Sequence, residues 1–354
     1  MDYTRALIRE MEMYAPDFCD TEFKTVYIGG GTPSWLEEKY MEQILSSMQR
    51  LFDIEPEAEI TMEVNPGTVT AGFLSMIKKH GVDRLSIGLQ SSNDGELAAL
   101  GRIHDYRRFL HTFELARKTG FYDINTDIMT GIPGQTKETL KRTLSDVLRL
   151  KPEHISCYSL IVEEGTPFYE KYHEDVERQK RGEPTIYLPD DDTEFELYTL
   201  ARSILSEAGF VQYEISNFAR PGYECLHNTG YWRRTPYLGL GLSAASLYGE
   251  HRYTNEADIY KYMDLIISGR KPVADDTAIS RHDAMAEFMY LGLRMASGIS
   301  RADFYDAFDM DIEAKYGAVI RELIARELLV SAEGRIYLTE KGRDISNQVL
   351  YEFL

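Results

Sequence analysis

The residues of this sequence that could do chemistry sit where apolar runs end. Lys24-Thr25-Val26-Tyr27-Ile28 leads into Gly29-Gly30-Gly31-Thr32-Pro33-Ser34, a turn whose glycines let a ligand approach the backbone closely and whose N–H groups can form an anion-friendly concavity. Ala58 to Val64 alternates polar and apolar residues and breaks at Asn65-Pro66-Gly67, which puts Glu63 at a strand end. There it reads either as a solvated edge carboxylate or as an acceptor for ligand hydroxyl or ammonium groups. Val82, Leu85, Ile87 and Leu89 make an apolar run ending in Gly88-Leu89-Gln90. That is the pattern of a buried parallel strand delivering a polar side chain at its carboxyl end, where ligands sit in parallel α/β folds. Arg102 follows in a Gly101-Arg102-Ile103-His104 stretch. Asn125 and Asp127 occupy alternate positions of the next apolar strand, 122–129, so they share one face and need a polar partner.

The elements that must position these groups repeat one grammar: apolar strand, polar or glycine-rich exit, amphipathic helix. The chain opens directly on a helix over residues 4–14. Helices are predicted from near Glu37, over Asp94 to Leu100, over Tyr106 to Thr119 with Gly120 as its cap, and from the Thr136 N-cap through Leu148. Ile155 to Ile161 reads as a strand. Tyr169 to Asp192 reads as a charged surface insertion, Thr193 to Ala208 as a helix, Phe210 to Asn217 as one more strand, and Tyr223 to Tyr237 as an irregular aromatic region. Beyond Ala278 the pattern predicts helices over 280–296, 301–308 and 312–326. Short strands at 328–330 and 335–338 and a last helix from Thr339 complete an arrangement resembling a winged-helix module. The expected division is 1–250 and 251–354, the second part a lid or packing domain.

The 354 residues, 43% of them hydrophobic, suffice for one large domain and a smaller one. A formal net charge of -19 argues against a nucleic-acid scaffold, since phosphate binding needs clustered Lys and Arg. No stretch approaches ~20 uninterrupted apolar residues, and the start has no basic-then-apolar leader pattern, so the expectation is a cytoplasmic protein without a transmembrane segment. Cys19, Cys157 and Cys225 are too scattered for a disulfide framework and are expected to be reduced.

Taken in order, Gly29 to Pro33, Glu63-Val64-Asn65-Pro66, Ser86 to Gln90, Gly101 to His104, Asn125-Thr126-Asp127 with Gly131 to Thr136, and Tyr213 to Asn217 resemble one family throughout. It is the radical S-adenosylmethionine group that contains oxygen-independent coproporphyrinogen III oxidase and the heme chaperone HemW. The resemblance implies a (β/α)6-type barrel and a helical carboxyl-terminal domain. It implies that Gly30, Gly31 and Thr32 hold the methionine end of S-adenosylmethionine, with Glu63, Gln90, Arg102 and Asp127 on its polar groups. The chemistry agrees: a zwitterion bearing a ribose needs carboxylates for its ammonium and hydroxyls, and a guanidinium for its carboxylate.

Within the group, His227-Asn228-Thr229-Gly230-Tyr231-Trp232 and the compact length resemble the chaperone branch. That implies heme as ligand, heme-accepting proteins as partners and a peripheral contact with membranes, with the oxidase, a radical decarboxylase of porphyrin biosynthesis, or an inactive remnant as alternatives. His227 becomes a candidate heme contact assisted by the rings of Tyr231 and Trp232, or else a structural histidine. Family members carry Cys-x-x-x-Cys-x-x-Cys on a loop after their first strand, ligating a 4Fe–4S cluster. This sequence has no such motif, and its opening helix corresponds to the one after that loop. The expectation is therefore a partial barrel lacking its first strand, with no metal ligands and no catalytic residue to name, in a sequence that starts downstream of the cluster loop and does not cleave S-adenosylmethionine as written.

Overall fold

The computed structural model describes residues 2–354. The chain opens with α1 (Tyr3–Tyr14), capped by the Asp2 carboxylate, and continues through β1 (Glu22–Ile28), α2 (Glu38–Leu51) and β2 (Asp53–Val64). β2 starts five residues earlier than its alternating segment suggests, because Pro56 disguises its first half. Four helices and three strands follow: α3 (Ala71–Lys79), β3 (Arg84–Gln90), α4 (Asp94–Ala99), α5 (Tyr106–Thr119), β4 (Asp123–Thr130), α6 (Lys137–Leu150) and β5 (His154–Ser159). Gly120 closes α5 at φ 91°, and Thr136 with Thr139 forms a reciprocal capping box on α6.

Two readings of the next region are corrected. The charged stretch predicted as a surface insertion contains α7 (Pro167–Lys180) and the start of α8 (Asp191–Glu207). Thr166 caps α7 ahead of Pro167, and the buried Asp175 carboxylate accepts from the N–H groups of Ile186, Tyr187 and Leu188, which ties the connecting loop down. The single strand predicted over 210–217 is two short ones, β6 (Val211–Gln212) and β7 (Asn217–Ala219). A turn separates them, in which the Gln212 side chain donates to the Ile215 carbonyl and the Glu214 carboxylate accepts from the Ser216 N–H.

The strands make one seven-stranded sheet of order β1-β2-β3-β4-β5-β7-β6, parallel from β2 to β5 and antiparallel at β7 and β6. Register decides its chemistry. Ile60, Met62 and Val64, Leu85, Ile87 and Leu89, Ile124 and Ile128, and Ile155 and Cys157 are buried on one face, where α5 and α8 lie against the sheet. The alternate positions are polar: Glu63 pairs with Ser86, Ser86 with Asn125, Asn125 with His154, and Asp127 with Gly88 and Ser156. One face is a hydrocarbon layer and the other a set of polar layers.

After β7 come α9 (Leu226–Trp232), β8 (Ala245–Tyr248), β9 (His251–Asn255), α10 (Ile259–Ile267) and β10 (Val273–Ala278). Strands β10, β9 and β8 form a second, antiparallel sheet that the sequence pattern did not show. The predicted winged-helix arrangement is present: α11 (Arg281–Gly292), β11 (Ile299–Ser300), α12 (Arg301–Phe308), α13 (Ile312–Ala325), β12 (Leu329–Ala332), β13 (Arg335–Leu338), α14 (Glu340–Asp344) and α15 (Ser346–Tyr351). Met289, Leu293, Phe304, Ile312, Ile320, Leu323, Ile336 and Phe353 fill its core.

The chain divides into two compact units. One comprises Met1–Val26, Glu37–Glu59 and Cys225–Leu354, the other Tyr27–Leu36 and Ile60–Glu224. In the first, the buried Glu10 of α1 accepts from the Gly241 N–H, the Asn255 amide and the Tyr262 hydroxyl, and burial pushes its carboxyl up to about 7 despite those donors. No helix among the described residues is long and apolar enough to cross a membrane.

Candidate functional site

Within the second unit, a cavity of about 200 Å³ opens at the carboxyl ends of the parallel strands. Its walls include Gly31, Thr32, Glu63, Gln90, Arg102 and Asp127, six of the seven residues assigned to S-adenosylmethionine by resemblance. Gly30, the seventh, donates its N–H to Glu63 Oε2 at 3.2 Å. The Tyr27 hydroxyl donates to Oε1 at 2.9 Å, so both carboxylate oxygens are tied and the side chain has one orientation. Gly29 is needed for this approach, because a Cβ there would lie 2.7 Å from the Tyr27 ring and 2.8 Å from the Glu63 carboxylate. Gly30 and Gly31 take φ of 79° and 110°, the left-handed region that favours glycine. The Asn65 amide donates to Thr32 Oγ1 at 2.8 Å, fastening the glycine turn to the exit of β2.

Strand β3 contributes Ser86, Gly88 and Gln90, alternate residues on the polar face. Gln90 itself is left-handed, at φ 75°, and the pairing with β4 slips by one residue between Gly88 and Gln90. A non-glycine residue held there at a strand end is backbone strain kept in place by its surroundings. Here the Oε1 of the buried Gln90 side-chain amide accepts from the Tyr158 hydroxyl at 3.2 Å. Arg102 reaches the cavity from the loop after α4 and makes no ion pair with the described residues. His104 is buried behind it with Nε2 3.3 Å from the Leu89 carbonyl, and burial lowers its pKa, so the neutral Nε2–H form donates.

Asp127 lies on the floor. Burial raises its carboxyl to about 6, with the Glu63 charge adding to the rise and hydrogen bonds from Asn125 and Ser156 opposing it. A carboxylate beside Glu63 that is costly to ionise, next to an open space, favours a cationic guest, and the adjacent Arg102 suits a carboxylate on the same guest. The donor set therefore fits the methionine end of S-adenosylmethionine. The strand-end residues were legible from sequence; Asn65, Ser86, Gly88 and Tyr158 were missed as lining residues. Ser86 and Gly88 were recoverable from alternation with Gln90, as was Tyr158 by the same rule on β5, whereas Asn65 acts from a turn that carries no periodicity.

The first unit holds the other candidates. The segment predicted as irregular is α9, whose N-terminus is capped from afar: the buried Glu59 carboxylate accepts from the N–H groups of Leu226 and His227 at 2.9 and 3.0 Å and from the Cys225 thiol. His227 and Tyr231 are four residues apart on this helix and meet edge to face at 4.8 Å. His227 Nδ1 lies 2.9 Å from Thr25 Oγ1 and Nε2 lies 3.0 Å from the Tyr231 hydroxyl. Trp232 points elsewhere, with the Arg294 guanidinium 4.3 Å above its ring and its indole N–H buried without an acceptor. The structure thus groups His227 with Tyr231 and separates Trp232 from them.

Of the cysteines, Cys19 is exposed, Cys157 and Cys225 are buried, and burial pushes the Cys157 thiol up to about 12. No group of three or more His, Cys, Asp or Glu side chains among the described residues could hold a metal ion. These cysteines do not fit an iron–sulfur cluster.

A mostly parallel α/β sheet with a polar cavity at its strand ends, followed by a winged-helix-like module, defines the class. Residues 4–147 match the radical SAM superfamily and residues 279–345 match the HemN C-terminal domain. The solved structure of coproporphyrinogen III oxidase (HemN) from Escherichia coli superposes with a TM-score of 0.84 at 22% identity, covering 99% of this chain and 82% of that one, and so shares the fold. The chain is 34% identical to the heme chaperone HemW of Bacillus subtilis over 354 residues, all of this chain and 91% of that protein. It is 31% identical to the HemW of Escherichia coli over 355 residues, all of this chain and 90% of that protein. The chain therefore belongs to the HemW family of radical SAM proteins, a family whose cofactors are S-adenosylmethionine and a 4Fe–4S cluster.

Proposed function

We propose that this protein binds heme and hands it to heme-accepting proteins in the cytoplasm, and that its strand-end cavity binds S-adenosylmethionine. The observation that carries the first part is the identity of more than 30% along the whole chain to relatives named as heme chaperones. The likeness to the oxidase is below that level and speaks for the fold, so the chaperone reading is preferred. For the second part, the support is the tied Glu63 carboxylate, the Asp127 carboxyl and the Arg102 guanidinium around one space. Once bound, S-adenosylmethionine supplies an activated sulfonium. The chain's own residues orient it: Glu63 and Asp127 take its ammonium or hydroxyls, Arg102 its carboxylate, and the glycine turn lets its backbone approach.

Heme titration followed at the Soret band tests the chaperone reading, with saturable binding and a shifted band expected; a spectrum equal to that of free heme overturns it. Because both His227 ring nitrogens already have partners, axial ligation by Nε2 requires release of the Tyr231 hydroxyl. Tyr231→Phe should therefore tighten heme binding if His227 is a ligand and leave it unchanged otherwise. Calorimetric titration with S-adenosylmethionine tests the cavity: Glu63→Gln is expected to weaken binding about ten-fold or more, the loss of one charge-assisted contact.

A further inference from the structure

Behind the cavity floor lies a chain of hydrogen bonds that no binding role has used. Asn125 Oδ1 accepts from the Ser156 N–H at 3.0 Å, and a backbone N–H can only donate, so this atom is the oxygen and the amide cannot be flipped. His154 Nδ1, 2.6 Å from the same oxygen, must then carry a proton. His154 is fully buried, its pKa is driven well down by burial and by the nearby Arg84 charge, and it is neutral. Its Nε2 is therefore bare and accepts from the Tyr213 hydroxyl at 2.9 Å. At the other end both protons of the Asn125 amide are directed: one to Ser86 Oγ at 2.8 Å, the other to Asp127 Oδ1 at 2.7 Å. All donors point one way, from Tyr213 through His154 and Asn125 to the carboxylate.

We propose that Tyr213, His154 and Asn125 are positioning residues, a one-way hydrogen-bond relay that holds the Asp127 carboxylate in place and ionised for a cationic group in the cavity. The ligand side of this rests on the reading of the cavity as an S-adenosylmethionine site; the relay itself does not. Aligned hydrogen bonds polarise one another, so each strengthens the last. The arrangement also explains why the Tyr213 to Asn217 motif accompanies the binding motifs although it lies outside the cavity lining. The charged and titratable groups facing Asp127 are Glu63 from β2, Arg84 from β3, Tyr158 from β5 and Arg102 from the loop after α4. None of these is altered in the variants below.

Three readouts on the full chain decide the matter. The imidazole ¹⁵N spectrum of the wild type should show a protonated Nδ1 and a bare Nε2 from about pH 5 to about 8; the opposite tautomer, or a titrating ring, overturns the relay. The Asp127 carboxyl ¹³C resonance should titrate near 6 in the wild type. In His154→Leu the midpoint should rise by roughly half a pH unit or more, because a donor to the charged form is weakened. Affinity for S-adenosylmethionine should fall about three- to ten-fold in the same variant. His154→Asn, whose amide nitrogen overlays Nδ1, should restore both. A folded His154→Leu protein with wild-type midpoint and affinity overturns the proposal. If His154→Leu does not fold, Tyr213→Phe takes its place, with a smaller rise expected and an unchanged midpoint counting against the relay. A wild type that binds no S-adenosylmethionine overturns the ligand reading alone, since the ¹³C and ¹⁵N measurements still judge the relay.

Discussion

Asp127 is held at a cost to the fold. Its folded-state pKa, about 6 against an ordinary 3.8, means the native protein binds this proton more firmly than the unfolded chain. The stabilisation from protonation is complete below the ordinary value and is lost as pH rises through about 6. Asp127→Asn should therefore stabilise the protein at neutral pH by something on the order of 2–3 kcal/mol, with no difference near pH 4, while weakening S-adenosylmethionine binding. Paired thermal melts at the two pH values check the sign; equal shifts at both would contradict it. Asp127 was readable from sequence because it shares one face of an apolar strand with Asn125, and two such polar groups need a partner. His154 was not, because one histidine opening a strand has no pattern to betray it.

Helix ends show what sequence reading reaches and where it stops. Thr136 and Gly120 act on their own helices within a turn, so capping rules find them. Glu59 caps α9 across 166 residues of sequence, and the helix it starts was unreadable because His227, Asn228, Thr229 and Gly230 are poor helix formers. Glu59→Ala should cost about 1–2 kcal/mol and speed hydrogen exchange at the Leu226 and His227 amides, leaving α6 amides unaffected. Asp175 plays the matching part for the loop between α7 and α8. Burial alone would raise its pKa, but three backbone donors outweigh it and hold it below 3.8. The stabilisation is present above that value and lost as pH falls through the folded pKa. Asp175→Ala should open residues 181–190 to limited proteolysis at neutral pH; a cleavage pattern like the wild type's would sink the assignment.

At the scale of the whole chain, the α/β order, the parallel strands and the winged-helix-like module were legible, since period and turn chemistry are local. The sheet of β8, β9 and β10 was not, because exposed polar strands such as Val273 to Ala278 carry no apolar alternation. The wing depends on one close approach. Gly298, at φ 59°, leaves no room for a Cβ, which would lie 2.0 Å from the Ile336 carbonyl oxygen. Gly298→Ala should destabilise by about 2 kcal/mol or more, seen as a lowered melting temperature. With a charge of -19, the protein should not retard duplex DNA at low salt. The two-faced sheet, finally, acts as a proofreader of its own assembly. Were β3 to pair one residue out of step, Leu85, Ile87 and Leu89 would turn into the cavity while Ser86 and Gln90 were driven under the helices. Each of those errors is penalised separately, so the same polar layers that receive a ligand in the finished protein discard misaligned copies of the strand while it is being made.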